Sequence, residues 1–201
     1  MAAVVEGSSE QVVLLDEQGA AVGTADKALV HTTDTPLHLA FSSYLFNDRG
    51  ELLLSQRAWS KKTWPGVWTN SACGHPAPEE ELTAAVRRRV ASELGLVLDE
   101  LRLVLPAFRY RAVMANGIVE NELCPVFAGR ISGEVSLDAD EVNAIEWVAW
   151  PEFVRQVLVE GRDISPWCVD QVAELEKLGA DPAEWPASTD GLPPAALLAR
   201  G

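Results

Sequence analysis

Between residues 60 and 76 the chain reads S-K-K-T-W-P-G-V-W-T-N-S-A-C-G-H-P, setting a thiol, an imidazole and paired lysines among glycines, prolines and tryptophans. Cys73 and His75 stand two apart, so in an extended strand or tight loop both side chains can point the same way. Gly66 and Gly74 supply backbone freedom beside them, and Pro65 and Pro76 restrict it. A thiol with a pKa of about 8.5 still holds its proton at neutral pH and can serve as an acid. Taken alone, a C-x-H pair is more often a buried free cysteine next to a loop histidine, because free cysteine is among the most buried residue types. The surrounding turn-forming and aromatic residues favour a site. A second constellation lies in Glu120 and Glu122, whose spacing of two in a strand aims both carboxylates at one face. By alternation alone it could also be a solvent-facing acidic stripe, with Ile118 on the same parity.

These groups need elements to hold them. Residues 11–15 and 37–46 carry the apolar, β-branched or aromatic content of strands, and the turn Asn47-Asp48-Arg49-Gly50 joins the second of them to residues 51–55 as a hairpin. From residue 78 to 94 the apolar positions Leu82, Ala85, Val86, Val90 and Leu94 recur at helical spacing, with glutamates near the start and Gly95 at the stop. Residues 101–105, 108–114, 118–130 and 144–149 read as strands, the third long and bent near Pro125. Residues 151–160 and 166–178 read as helices begun by proline in the first turn. Residues 1–10 read as a frayed, flexible N-terminus and residues 11–178 as one domain. Residues 179–201, rich in proline and alanine, read as a loosely attached tail.

A chain of 201 residues with 48% hydrophobic content is long enough for one sizeable core. The formal net charge of -14 argues against nucleic acid or anionic membrane as a partner, because both are held mainly by basic surface. Cys73, Cys124 and Cys168 are the three cysteines, an odd number without framework spacing, as suits a reducing cytoplasm. No stretch approaches the roughly 18 apolar residues of a membrane span, and the N-terminus has neither a signal-peptide pattern nor an Arg-rich transit pattern. There is no G-x-G-x-x-G between strand and helix, so no flavin or nicotinamide site is expected. Nothing in the sequence signals assembly, and a monomer is the default.

The run over residues 60–76 resembles the corresponding segment of the type I isopentenyl diphosphate isomerases, enzymes of the Nudix-type fold. The similarity extends to H-T-T-D-T-P-L-H-L-A-F-S-S-Y-L-F (31–46), F-R-Y-R-A (108–112), G-I-V-E-N-E-L-C-P-V-F (117–127) and S-P-W (165–167), covering most of residues 10–178. Several separated motifs in one order are far more specific than any one of them. The resemblance implies an α/β (α+β) fold, an α/β/α sandwich with a mixed central sheet flanked by helices. It implies interconversion of isopentenyl and dimethylallyl diphosphate, in isoprenoid biosynthesis, through a carbocation-like intermediate.

It also implies roles. His31, His38 and His75, the only three histidines, would surround one divalent metal with Glu120 and Glu122. Mixed nitrogen and oxygen donors are compatible with Mn2+, Mg2+ or Zn2+. Glu93 would help hold a Mg2+ carried in with the substrate. Cys73 would be one acid/base group and Glu122 the one on the opposite face, with Tyr110 relaying or orienting a proton. Trp167 matches the aromatic residue whose π face stabilises the cation. Lys27, Arg57 and Lys61 match the cations for the diphosphate, with Arg88 or Arg89 joining them. Trp59, Trp64 and Trp68 are assigned to packing, and Cys124, placed in the same strand as Glu122, to a packed thiol.

The Nudix hydrolase pattern G-x(5)-E-x(7)-R-E-U-x-E-E-x-G-U gives the main alternative. Gly74, Glu80, Arg88, Val90, Glu93, Gly95 and Leu96 match it, but Arg89 and Ser92 replace two of its metal-binding glutamates. Efficient hydrolysis of a nucleoside or prenyl diphosphate is therefore disfavoured. An inert diphosphate-binding module is disfavoured by the joint presence of Cys73, Tyr110, Glu122 and Trp167.

Overall fold

The computed structural model describes residues 10–197. Its strands and helices are β1 (Gln11–Leu15), β2 (Ala21–Asp26), β3 (His38–Leu39), β4 (Phe41–Phe46), β5 (Glu51–Arg57), β6 (Trp68–Thr69), β7 (Ala72–Gly74), α1 (Leu82–Leu94), β8 (Val97–Leu105), β9 (Arg109–Val113), β10 (Val119–Leu123), β11 (Val126–Ser132), β12 (Val142–Ala149), α2 (Trp150–Leu158) and α3 (Pro166–Leu175). They form two sheets, ordered β2-β1-β3-β10-β9 and β12-β5-β4-β11-β8, with β6 on β5 and β7 on β4.

The sheets share two stretches of chain. Residues 37–46, expected as one strand, break at Ala40, and residues 118–130, expected as one bent strand, break at Cys124 and Pro125. Both halves stay side by side and parallel, β3 with β10 and β4 with β11. The Ala40 N–H to the Leu123 carbonyl (2.9 Å) and the Ser42 N–H to the Pro125 carbonyl (3.1 Å) carry the ladder across the break. Proline has no N–H to donate, so the ladder must change partners there. Cys124 therefore lies in this junction, not in the strand that carries Glu122.

Strand β5 is buried on both faces, and its alternation shows what covers each. Leu52 and Leu54 join Tyr44, Phe46, Phe153, Val157, Val172 and Leu175 on the side of α2 and α3, whereas Leu53 joins Leu45, Val86, Val90 and Leu94 on the side of α1. A continuous apolar run is the expected signature of such a strand. Helix α1 begins at Leu82, not residue 78, because Glu79 has φ 65°, a left-handed conformation that no right-handed helix accommodates. The missed strand β2 is an edge strand with its first four positions exposed, so no apolar period marks it.

The segment after Gly179, expected to be loosely attached, is bound to the body. Trp185 is 1% exposed, its ring 4.9 Å from that of Trp150 and 6.1 Å from that of Phe46. Arg102 donates to the carbonyls of Pro182, Ala183 and Trp185 at 2.9, 2.7 and 3.1 Å. The proline-rich composition hid one large anchor. The stretches expected as frayed at residues 1–9 and at the C-terminal residues 198–201 lie outside the described residues.

Candidate active site

A cavity of about 590 Å³ is lined from both sheets, from α1 and from the start of α3. Its walls include Lys27, His31, Arg57, Lys61, Cys73, His75, Arg89, Glu93, Tyr110, Glu120, Glu122 and Trp167, so with Arg89 taken over its alternative Arg88, all but one of the expected site residues border one space. The exception, His38, is fully buried behind it in β3, opposite Glu122 of β10 in the parallel ladder.

The three histidines converge. Their ring centroids are 5.1 to 6.0 Å apart. One ligand atom from each of His31, His38, His75 and Glu122 lies within 4.8 Å of the others. His75 Nε2 is 3.0 Å and His38 Nε2 3.4 Å from Glu122 Oε1. His38 Nδ1, 2.9 Å from the Pro36 carbonyl, donates to it, which turns the Nε2 lone pair inward. Burial pushes His31 and His75 down to about 4, leaving both rings neutral at pH 7, the form that binds a metal. Three buried nitrogens, His31 Nε2, His38 Nε2 and His75 Nδ1, have no hydrogen-bond partner among the described residues. An unsatisfied buried group costs about 1–3 kcal/mol, and a bound cation would remove that cost. This quartet can hold a metal ion.

The two glutamates of β10 are buried, which removes the reading of a solvent-facing stripe. Glu120 stands outside the close quartet and shares with Glu122 the hydroxyl of Tyr110, at 2.9 and 2.8 Å. Tyr110 is the ladder partner of Glu122 on β9. Their environments separate their proton affinities. Burial raises Glu120 to about 7, with the charge of Glu122 adding to it. Burial acts upward on Glu122 too, but His75 and His38, with Nε2 atoms 3.0 and 3.4 Å from its Oε1, outweigh it and hold its carboxyl well below the ordinary range. Glu122 is thus the ionised member of the pair.

Cys73 sits in β7 opposite Ser42 of β4. Its Sγ lies 3.2 Å from Asn70 Oδ1 and 3.4 Å from Ser42 Oγ, and burial pushes the thiol up to about 11. It is therefore protonated at neutral pH. Gly74 follows because a Cβ there would meet Arg89 Cγ and Phe41 Cζ, each at 2.9 Å. Trp167 is 2% exposed, 5.6 Å from the Tyr110 ring and edge-on to Trp64 at 5.4 Å.

The cations cluster elsewhere in the cavity, each engaged by the protein. Lys27 pairs with Glu10 at 2.6 Å and Lys61 with Glu141 at 2.6 Å. Arg89 lies 3.0 Å from Glu93 and 3.6 Å from Glu141, and Arg57 donates to the Thr63 carbonyl at 3.0 and 3.1 Å. Burial raises Glu93 to about 7 against the opposing Arg89 charge. Glu93 belongs to this cluster, apart from the histidines. Arg88 does not border the main cavity and pairs with Glu80 at 2.7 Å. Sequence reasoning missed Asn70, Ser42 and Glu141. Glu141, in D-A-D-E-V, carries no motif, whereas Asn70 lay inside the richest one.

A NUDIX domain model matches residues 36–168. The chain is 59% identical over 193 residues to a protein of Saccharopolyspora erythraea named isopentenyl-diphosphate Delta-isomerase, covering 96% of this chain and 100% of that one. It is 55% identical over 172 residues to one of the same name from Mycolicibacterium vanbaalenii, covering 86% and 94%. Among solved structures, DR0079 from Deinococcus radiodurans superposes with a TM-score of 0.64 at 17% identity, covering 82% of this chain and 98% of that one, a likeness of fold alone. With more than nine-tenths of its length aligned to such a relative, the chain belongs to the isopentenyl-diphosphate Delta-isomerases of the NUDIX domain family.

Proposed function

We propose that this chain interconverts isopentenyl diphosphate and dimethylallyl diphosphate by protonating one carbon of the double-bond system and deprotonating another, with Cys73 and Glu122 as the two groups. The observation that supports the reading most is the pairing of a protonated thiol with an ionised carboxylate on one cavity, the buried indole of Trp167 beside them.

In the forward direction the Cys73 thiol gives its proton to the terminal methylene carbon. The π electrons form the new C–H bond and leave a tertiary cation. The Glu122 carboxylate then removes a proton from the neighbouring CH2, whose C–H electrons become the new double bond. Cys73 is left as thiolate and Glu122 protonated, and exchange with solvent resets both. Tyr110, hydrogen-bonded to Glu122, orients that carboxylate. A cation against the Trp167 face is worth about 2 kcal/mol when desolvated, over tenfold in rate.

Lys27, Arg57, Lys61 and Arg89 hold the diphosphate, exchanging their present carboxylate and carbonyl partners for phosphate oxygens. His31, His38, His75 and Glu122, with Glu120 alongside, would hold one divalent ion, Mn2+, Mg2+ or Zn2+, and Glu93 a Mg2+ arriving with the diphosphate. Such ions, when bound, orient their carboxylate ligands and offset diphosphate charge. Every residue in this scheme comes from one chain, as a monomer requires, and the free thiols suit a reducing cytoplasm. Among the described residues no helix is long and apolar enough to cross a membrane.

The test is incubation of purified protein with isopentenyl diphosphate and Mg2+. Allylic diphosphate without phosphate release is expected; released phosphate without allylic product would favour hydrolysis and overturn the reading.

A further inference from the structure

We infer that Asn70 is a positioning residue that ties the Cys73 thiol and the Trp167 indole to one carboxamide oxygen. The inference rests on the isomerase reading above and on the roles it gives those two side chains.

Asn70 is fully buried between β6 and β7 and is not among the residues lining the cavity, so it is placed to act through neighbours. Its Nδ2 donates to the backbone carbonyls of Ser43 (3.0 Å) and Ala72 (3.2 Å). Carbonyls can only accept, so these two bonds settle which end of the amide is nitrogen. Oδ1 then faces three donors: the Thr69 hydroxyl at 2.9 Å, the Cys73 thiol at 3.2 Å and the Trp167 Nε1–H at 3.3 Å. The same Thr69 hydroxyl is 2.8 Å from Ser165 Oγ, immediately before α3. One side chain therefore joins the β6–β7 turn, which carries the thiol, to the helix start, which carries the indole.

The chemistry requires this joint. The proposed acid and the face that stabilises the cation must keep a fixed separation while charge develops between them, and sub-ångström errors in such placement are costly. The S–H donation to Asn70 is a weak tether that places the sulfur in the resting site, and turning the single thiol proton toward the cavity about Cβ–Sγ breaks it at little cost. Asparagine is seldom fully buried and has no packing advantage in such a position. A leucine of similar size would leave the Trp167 indole N–H unpaired, and the Ser43 and Ala72 carbonyls with only their bonds from the Ser71 N–H and the Ser43 hydroxyl.

The test compares wild type, Asn70→Ala and Asn70→Asp, each loaded with divalent metal, in isopentenyl diphosphate isomerisation. Asn70→Asp keeps the acceptor and loses the donations that aim it. For both, kcat should fall about 10- to 100-fold, the range for removing a supporting hydrogen bond behind a functional group. KM should stay within about threefold, since Asn70 touches none of the cations that bind diphosphate. Folded variants with wild-type kcat would overturn the inference. A wild type inactive on isopentenyl diphosphate would instead overturn the isomerase reading, so the two failures are distinct. If neither variant folds, the joint is read from Cys73 alkylation by iodoacetamide, followed by peptide mass, in Trp167→Phe and Trp64→Phe. Both loosen the Trp64–Trp167 contact, and Trp167→Phe, which keeps a ring against Tyr110, alone removes a donor to Asn70. A rate change of at least threefold confined to Trp167→Phe supports the joint, and equal behaviour of the two variants overturns it.

Discussion

Replacing Tyr110 by phenylalanine removes one oxygen and leaves the ring between Phe108 and Trp167, at centroid distances of 6.2 and 5.6 Å. That hydroxyl has one proton to donate and two carboxylate oxygens within reach, on Glu120 and Glu122. Glu122 is the ionised partner, whereas burial raises Glu120 to about 7, so of the two it holds a proton more readily. The bond at stake is therefore one to a charged acceptor, worth about 1.5–3 kcal/mol. If it matters to the orientation of Glu122 during proton removal, its loss lowers kcat by about 10- to 150-fold. KM should change little, because the hydroxyl lies among carboxylates and not among the diphosphate cations. Proton NMR of isopentenyl diphosphate conversion at saturating substrate and Mg2+ would measure both constants, with thermal unfolding run beside it. A folded Tyr110→Phe protein with kcat within twofold of wild type would refute the orienting role and leave Tyr110 as packing alone. A loss confined to KM would place the hydroxyl in substrate binding.

Three further outcomes are expected. Metal analysis with anomalous scattering should find one ion among His31, His38 and His75, and a metal-replete crystal with two of these rings beyond about 6 Å of the ion would remove the site, since ligand distances are near 2.0–2.2 Å. Arg89→Glu with Ser92→Glu puts a second buried carboxylate beside Glu93, already raised to about 7, and should cut kcat/KM at least about tenfold and introduce slow diphosphate cleavage; unchanged isomerisation and metal binding would show that these positions do not separate the two chemistries. Burial pushes the Cys168 thiol up to about 12, so its stabilising contribution is fully present below the unfolded pKa and lost as pH rises toward that value. Urea melts should show about 2 kcal/mol less destabilisation between pH 8 and pH 10 in Cys168→Ala than in wild type, and an identical pH dependence would contradict the buried, protonated thiol.

Where each residue's type and period act locally, the sequence was a good guide to the fold. The i, i+3, i+4 recurrence from Leu82 to Leu94 with Gly95 at its end marks α1, and Glu120 and Glu122 share a face because strand parity requires it. Features that depend on distant partners were not legible. The left-handed Glu79 delays α1, Ala40 and Pro125 split two apparent strands between sheets, and Trp185 anchors a segment whose composition suggests none. The candidate site followed the same division. Cys73, His75 and the carboxylates announce themselves by type, and the family resemblance assembled them with His31, His38 and Trp167. Asn70 and Glu141 could not be singled out, because a polar side chain's importance lies in which donors and acceptors the fold aims at it.

The central proposal is that two different side chains, Cys73 and Glu122, exchange protons with opposite sides of the substrate. Isomerisation in D2O with Mg2+ tests it most directly, because a thiol reset by solvent must deliver deuterium to the new methyl group. The product is expected to carry solvent deuterium. Cys73→Ala and Glu122→Gln should each lose about 10²- to 10⁴-fold in rate, the usual cost of removing a positioned acid or base. An allylic product free of deuterium, or a Cys73→Ala enzyme turning over near the wild-type rate, would contradict it.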